Sequence, residues 1–172
     1  MHQVQKLTTG ALFVAFGVFL PLVFHFTGLS GAVFLPMHIP VLIAGLLLGG
    51  KAGFAVGILT PFISSMLTGM PPIMPTLPRM AVELSVYGLT VGYFYQSRNF
   101  SLLLSLLGAM LLGRVASLVT IYILVVVLDL GINPLIYVKA ATVHAFPGII
   151  AQLFLIPLII KKLESTFELQ KI

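Results

Sequence analysis

The stretch 77-LPRMAVELSVY-87 sets Arg79 and Glu83 one helical turn apart inside apolar sequence, and a later run, 101-SLLLSLLGAMLLGRVASLVTIYILVVVL-128, carries Arg114 at its middle. An ionised side chain in hydrocarbon is costly, so such residues are few, turn towards a protein interior or a wet cavity, and mark a path or a ligand. Both stretches read as membrane helices of a protein that handles a polar solute.

Composition points the same way. With 59% hydrophobic and 8% charged residues and a mean hydropathy of +1.17, too little polar surface exists to clothe a water-soluble domain. One membrane domain over residues 1–172 is the natural count. The net charge of +5 does not indicate nucleic acid, because the basic residues sit singly between apolar runs and form no patch. No cysteine is present, which excludes disulfide and thiolate chemistry. The apolar start at Leu7 runs on into further membrane sequence and is not read as a signal peptide.

A membrane span needs about 20 apolar residues. Six candidates follow one another, at 7–26, 36–50, 52–68, 77–96, 101–128 and 139–160, with a tight turn at Gly49-Gly50-Lys51 between the second and third. Lys6, Lys51, Arg98, Lys161, Lys162 and Lys171 then share one side, while the connections 27–35, 69–76 and 129–138 carry no Lys or Arg. The positive-inside rule places both termini in the cytoplasm. The fifth span, at 1.5 Å per residue, is roughly 42 Å long against a core near 30 Å, so it is expected to tilt or emerge. Pro61, Pro147 and Pro157 are expected to interrupt spans three and six. The segment 70-MPPIMP-75 reads as a stiff outer loop.

Small residues recur at four-residue spacing: Gly45 and Gly49, Gly53 and Gly57, Ala11 and Ala15. Such spacing lets helix backbones approach where lipid gives no hydrophobic drive for association. For the glycines, internal packing is the reading. The alanines lie near the cytoplasmic end of the first helix, where an external partner can dock.

Together the early Ala-xxx-Ala pattern, the six-span body, the run 36-PMHIPVLIAGLLLG-49, Gly53 and Gly57, and Leu77-Pro78-Arg79 opening span four resemble the substrate-binding S components of energy-coupling factor (ECF) transporters. The resemblance covers nearly the whole chain. It implies an all-α, six-helix protein of the bacterial cytoplasmic membrane that captures a water-soluble vitamin or precursor in a pocket near the outer face. It also implies partners, namely a transmembrane coupling subunit, docked through the helix-one motif at Ala11 and Ala15, and two cytoplasmic ATPases. No cofactor is implied. The chain has no P-loop, as an S component requires.

Candidate binding residues follow from helical spacing. Arg79, Glu83 and Tyr87 share one face of span four. Arg79 and Glu83 either neutralise one another or face a cavity. Arg114, with Ser117 and Ile121 on nearby turns, needs an acid, a set of carbonyls or a ligand, and Glu83 is the only acid inside a span. Two arginines against one acid leave a positive excess suited to a carboxylate or phosphate. His144, Gly148 and Gln152 repeat along span six and either line the pocket or join helices. His38 is either a substrate contact or a cap at the outer entrance to span two. Thr60, Ser64 and Thr68 read as interhelical glue around Pro61. Asn133, with Tyr137, closes over the ligand by analogy with the family.

Niacin, pantothenate, a pyridoxine-like compound and α-ribazole all lie within the range the resemblance implies. The arginine excess favours a carboxylate, whereas a nucleoside would use Glu83 for its hydroxyls. His25, His38 and His144 lack metal-ligand spacing, so no metal site is expected. An intramembrane Glu–His hydrolase would rest on one acid and one histidine. The stronger alternative is a small proton-coupled carrier acting as an oligomer, with Glu83 and His144 titrating.

Overall fold

A computed structural model describes residues 3–28 and 31–169, the side chains of 32 and 164–169 excepted. Lys171 and residues 29–30 of the first outer connection lie outside the described residues. The elements are α1 (Gln3–Phe26), α2 (Gly31–Phe34), α3 (His38–Leu48), α4 (Gly50–Thr68), α5 (Thr76–Gly92) continued by a π-helical turn (Tyr93–Ser97), α6 (Leu102–Leu128), α7 (Pro134–His144) and α8 (Phe146–Leu169), with no strand among the described residues. Four helices, over Gln3–Phe26, Gly50–Thr68, Leu102–Leu128 and Phe146–Leu163, are long and apolar enough to cross a membrane.

Three expected spans take another form. The one at 77–96 is the 17-residue α5 followed by the π-helical turn Tyr93–Ser97, and it is not among those four. The segment at 36–50 yields only the 11-residue α3, about 16 Å long and so about half a bilayer core. Its shortness has a structural setting: nine of its residues are buried, and the irregular approach through Pro36 and Met37 is buried as well. Non-helical backbone at membrane depth is tolerated where protein surrounds it, and here Leu35 N–H bonds to the Gly31 carbonyl and His38 N–H to the Leu35 carbonyl, each at 3.0 Å. The segment at 139–160 is divided into α7 and α8 at Ala145. Pro147 has no N–H for the Val143 carbonyl, and its ring crowds that turn.

Helix α7 also starts earlier than expected, inside the connection 129–138. Asn133 caps it by accepting from Leu135 N–H at 3.0 Å and Ile136 N–H at 3.2 Å, and Pro134 sits at the first helical turn, where a missing N–H costs nothing. By contrast Pro61 and Pro157 lie inside helices that continue through them, so only Pro147 coincides with a break. The 69–75 loop is non-helical, as expected. It is held from α4 by Ser64 Oγ donating to the Met70 carbonyl at 2.7 Å and Ser65 Oγ to the Pro71 carbonyl at 2.8 Å. Thr60 and Thr68 donate to carbonyls of their own helix, at 2.6 Å to Val56 and 2.8 Å to Ser64. The Thr60–Ser64–Thr68 line is thus intrahelical and loop-directed in its hydrogen bonds, not the interhelical glue expected.

Glycines set the tightest packing. A Cβ on Gly53 of α4 would lie 2.4 Å from the Gly88 carbonyl oxygen of α5 and 2.7 Å from Gly45 Cα of α3, and one on Gly57 would lie 2.4 Å from the Leu84 carbonyl oxygen. Three backbones therefore touch along one seam. Gly49, at φ 92°, makes the turn between α3 and α4, and Gln96 Nε2 donates to the Leu46 carbonyl at 2.7 Å at that end of α3. On either side of α3 lies a core: Leu42, Leu46, Tyr87, Val91, Leu106, Ile156 and Ile160 join α3, α5, α6 and α8, while Val14, Val41, Ala44, Val56 and Leu84 join α1, α3, α4 and α5.

These contacts give the helix directions. Gly10 lies beside Val56 and Gly17 beside Thr60, so α1 and α4 run together; Gly53 and Gly57 meet Gly88 and Leu84, so α5 runs against α4. Gly45 beside Gly88 and Gly49 beside Gly92 set α3 parallel to α5, and Gly108 beside Phe94 with Gly113 beside Tyr87 sets α6 antiparallel to it.

Replacing Gly88 with Ala, whose Cβ would stand 2.2 Å from the Gly53 carbonyl oxygen, is expected to cost about 1–3 kcal/mol through overpacking. Gly31→Ala, with nothing within 4 Å, should leave stability unchanged. Melting of the two variants in detergent checks this, and equal melting temperatures would refute the seam.

Candidate functional site

The site is built on the buried face of α5. Leu77, Arg79, Glu83, Leu84, Tyr87 and Val91 all lie inside, so the i, i+4, i+8 row of Arg79, Glu83 and Tyr87 turns inward as a unit. Arg79 Nη1 donates to Glu83 Oε2 at 2.7 Å and to Ser117 Oγ of α6 at 2.8 Å. Arg114 Nη1 stands 2.9 Å from the other carboxylate oxygen, Oε1. One carboxylate, 1% exposed, is thus shared by two guanidiniums.

Close approach of α6 makes the sharing possible. Gly113 has no side chain where the Tyr87 ring packs, and a Cβ there would lie 1.9 Å from Tyr87 Cε1. From α3, His38 brings Nε2 to 3.9 Å from Glu83 Oε1, and its ring packs edge-on against Tyr87 at 5.4 Å between centroids. From α8, Gln152 Nε2 donates to the Leu35 carbonyl at 3.4 Å, the same oxygen that receives the His38 N–H. From α7, the Tyr137 ring lies 5.7 Å from the Arg79 guanidinium carbon, and its hydroxyl is 3.4 Å from Thr76 Oγ1.

Among the described residues, several buried polar atoms of this cluster have no hydrogen-bond partner: Nδ1 of His38, Nε of Arg79, Nε and Nη2 of Arg114, and Oε1 of Gln152. Buried polar groups are ordinarily satisfied. Their concentration in one place gives both donors and acceptors to a bound polar molecule.

Five of the residues singled out from sequence, His38, Arg79, Glu83, Tyr87 and Arg114, meet directly, and Gln152 joins them through the Leu35 carbonyl. The two alternatives for Glu83, pairing with Arg79 or with Arg114, both occur. His144 is exposed at the end of α7, and Asn133 is exposed with its side-chain oxygen engaged as a cap. No group of three potential metal ligands occurs among the described residues. Sequence reasoning undervalued Ser117 as the second acceptor for Arg79, although it lies one turn from Arg114 on the same buried stripe as Met110 and Ile121. Thr76 carried no signal.

Glu83→Gln keeps the side-chain shape but removes the charge both guanidiniums share. Uncompensated buried charge of this kind is expected to cost about 3–5 kcal/mol, whereas Ser117→Ala removes one hydrogen bond at about 1 kcal/mol. Thermal melts in one detergent compare them, and a Glu83→Gln protein as stable as Ser117→Ala would contradict the shared-carboxylate arrangement.

A model of the family described as ECF transporter, substrate-specific component, matches residues 5–160. No curated protein and no solved structure matches the chain. The matched region contains every residue of the charged cluster and reaches from α1 into α8. With that span matched, and with four membrane-length apolar helices in an all-helical fold, the chain belongs to the substrate-specific components of ECF transporters.

Proposed function

We propose that this S component captures a water-soluble vitamin or vitamin precursor on the outer side of a bacterial cytoplasmic membrane and releases it inward when docked on an ATP-driven module. The observation that carries the reading is the concentration of unpartnered buried polar atoms around Glu83. Arg79, Glu83, Tyr87, Arg114, His38 and Gln152 form the binding site, while Asn133 and His144 are exposed at the two ends of α7.

The helix directions support six crossings, by α1, α3, α4, α5, α6 and the α7–α8 pair. They gather Lys6, Lys51, Arg98, Lys161 and Lys162 towards one end, with the Glu83 cluster towards the other. By the positive-inside rule the basic end and both termini are cytoplasmic. The docking surface is on α1, where Val14 and Gly17 are buried against the bundle while Ala11 and Ala15 face outward. Partners are a transmembrane coupling subunit and two ATPases, which supply the hydrolysis this chain does not.

Two experiments test the reading. Purified in detergent, the protein is expected to bind a vitamin or precursor with Kd below about 10 μM, near −7 kcal/mol, without hydrolysing ATP. In liposomes containing this protein alone, a pH step should drive no accumulation. Accumulation there would establish the alternative, a proton-coupled carrier acting as an oligomer.

The Ala11→Leu/Ala15→Leu variant adds bulk on the outward stripe, far from the cluster. Its ligand affinity should match that of the unaltered protein, while co-purification with the coupling subunit and ATP-dependent uptake are lost together. Normal assembly and transport by this variant would remove the stripe as the docking surface.

A further inference from the structure

Resting on the capture reading above, we infer that the substrate is a monoanionic carboxylate that also carries an N–H or O–H donor, its carboxylate seated on the Nε–Nη2 edge of Arg114. The Glu83 carboxylate engages Arg114 through Nη1 alone, and both Nε and Nη2 are shielded from solvent and unpartnered. Those two nitrogens form the side of the guanidinium whose parallel N–H bonds match a carboxylate bidentately. A solitary lysine-like charge would not offer that edge.

Charge selects within the anions. Among the described residues, Glu83 is the only carboxylate paired with either arginine, so two guanidiniums retain one uncompensated positive charge inside an apolar bundle. A single carboxylate brings the sum to zero; a phosphate monoester dianion would overshoot it. A neutral molecule would leave it standing. Buried charge is stable when paired and hydrogen-bonded, which makes the monoanion the complement.

The remaining unpartnered atoms describe the rest of the molecule. Gln152 uses its amide nitrogen on the Leu35 carbonyl and leaves Oε1 as a buried acceptor, wholly enclosed by protein. An acceptor of that kind calls for an N–H or O–H on the substrate. His38 Nδ1, also unpartnered among the described residues, can give or take a further hydrogen bond. It suits a further polar atom of the same molecule.

Paired acid and neutral probes test this on the full-length protein in detergent by calorimetry: nicotinate with nicotinamide, pantothenate with pantothenol, 4-pyridoxate with pyridoxine, alongside α-ribazole and pyridoxal phosphate. The expected result is that the tightest binder is pantothenate or 4-pyridoxate, which carry both a carboxylate and an N–H or O–H donor, and that its neutral partner binds at least about 100-fold more weakly, as when a site's buried groups lose their partner. Nicotinate, a carboxylate without such a donor, should bind more weakly than that acid; nicotinate binding most tightly overturns the donor half of the assignment. Arg114→Lys, which keeps the charge but not the edge, should weaken the tightest-binding acid by a similar factor while its melting temperature reports that the fold is retained. A neutral compound or the phosphate ester binding most tightly, or an acid and its neutral partner binding equally, overturns the carboxylate assignment and leaves capture standing. Binding by none of the probes overturns the capture reading itself and this inference with it.

Discussion

One carboxylate ties the charged centre together. Glu83 is held between Arg79, a turn away on the same helix, and Arg114 on the next, in a bundle whose outer surface is hydrocarbon-like. Because lipid cannot solvate an orphaned guanidinium, α6 must keep Arg114 against α5, and Ser117 against Arg79 follows from the same register. His38 draws the entrance of α3 to the same point. The electrostatics thereby set the relative placement of α3, α5 and α6.

That arrangement works only because backbones are allowed to meet. Gly45, Gly53, Gly57 and Gly88 remove the side chains that would hold α3, α4 and α5 apart, and Gly113 does the same between α6 and the Tyr87 ring. Helix α3 is then enclosed by its neighbours rather than by lipid, which lets an 11-residue helix with an irregular lead-in sit at membrane depth. The cluster and the seam lie on successive turns of α5. Packing brings the helices within reach, and the charges fix their register.

The connections at the Glu83 end of the bundle add a second layer. Tyr137 of α7 lies over Arg79 and reaches Thr76 at the start of α5, while the 69–75 loop is fastened to α4 through Ser64 and Ser65. Gln152 and the Leu35 carbonyl join α8 to the lead-in of α3. The polar atoms left unpartnered around Glu83 are thus enclosed by several separately anchored pieces of chain.

Some of this is written locally in the chain. Hydropathy and the scarcity of charge give an all-helical membrane protein, and the spacing of Arg79, Glu83 and Tyr87 gives one buried face, because helical period acts over a few residues. The four-residue glycine spacing likewise announces close packing. Asn133-Pro134 is a helix start hidden inside a connection, whereas the interruption expected at Pro147 coincides with the break between α7 and α8. Tertiary structure alone decided that Glu83 serves both arginines, that α3 is enclosed by its neighbours rather than by lipid, and that His144 is exposed while Gln152 is buried. Those outcomes depend on which helix lies beside which and at what rotation, and that is set by contacts between residues as far apart as Leu35 and Gln152, whose pairing no local pattern encodes.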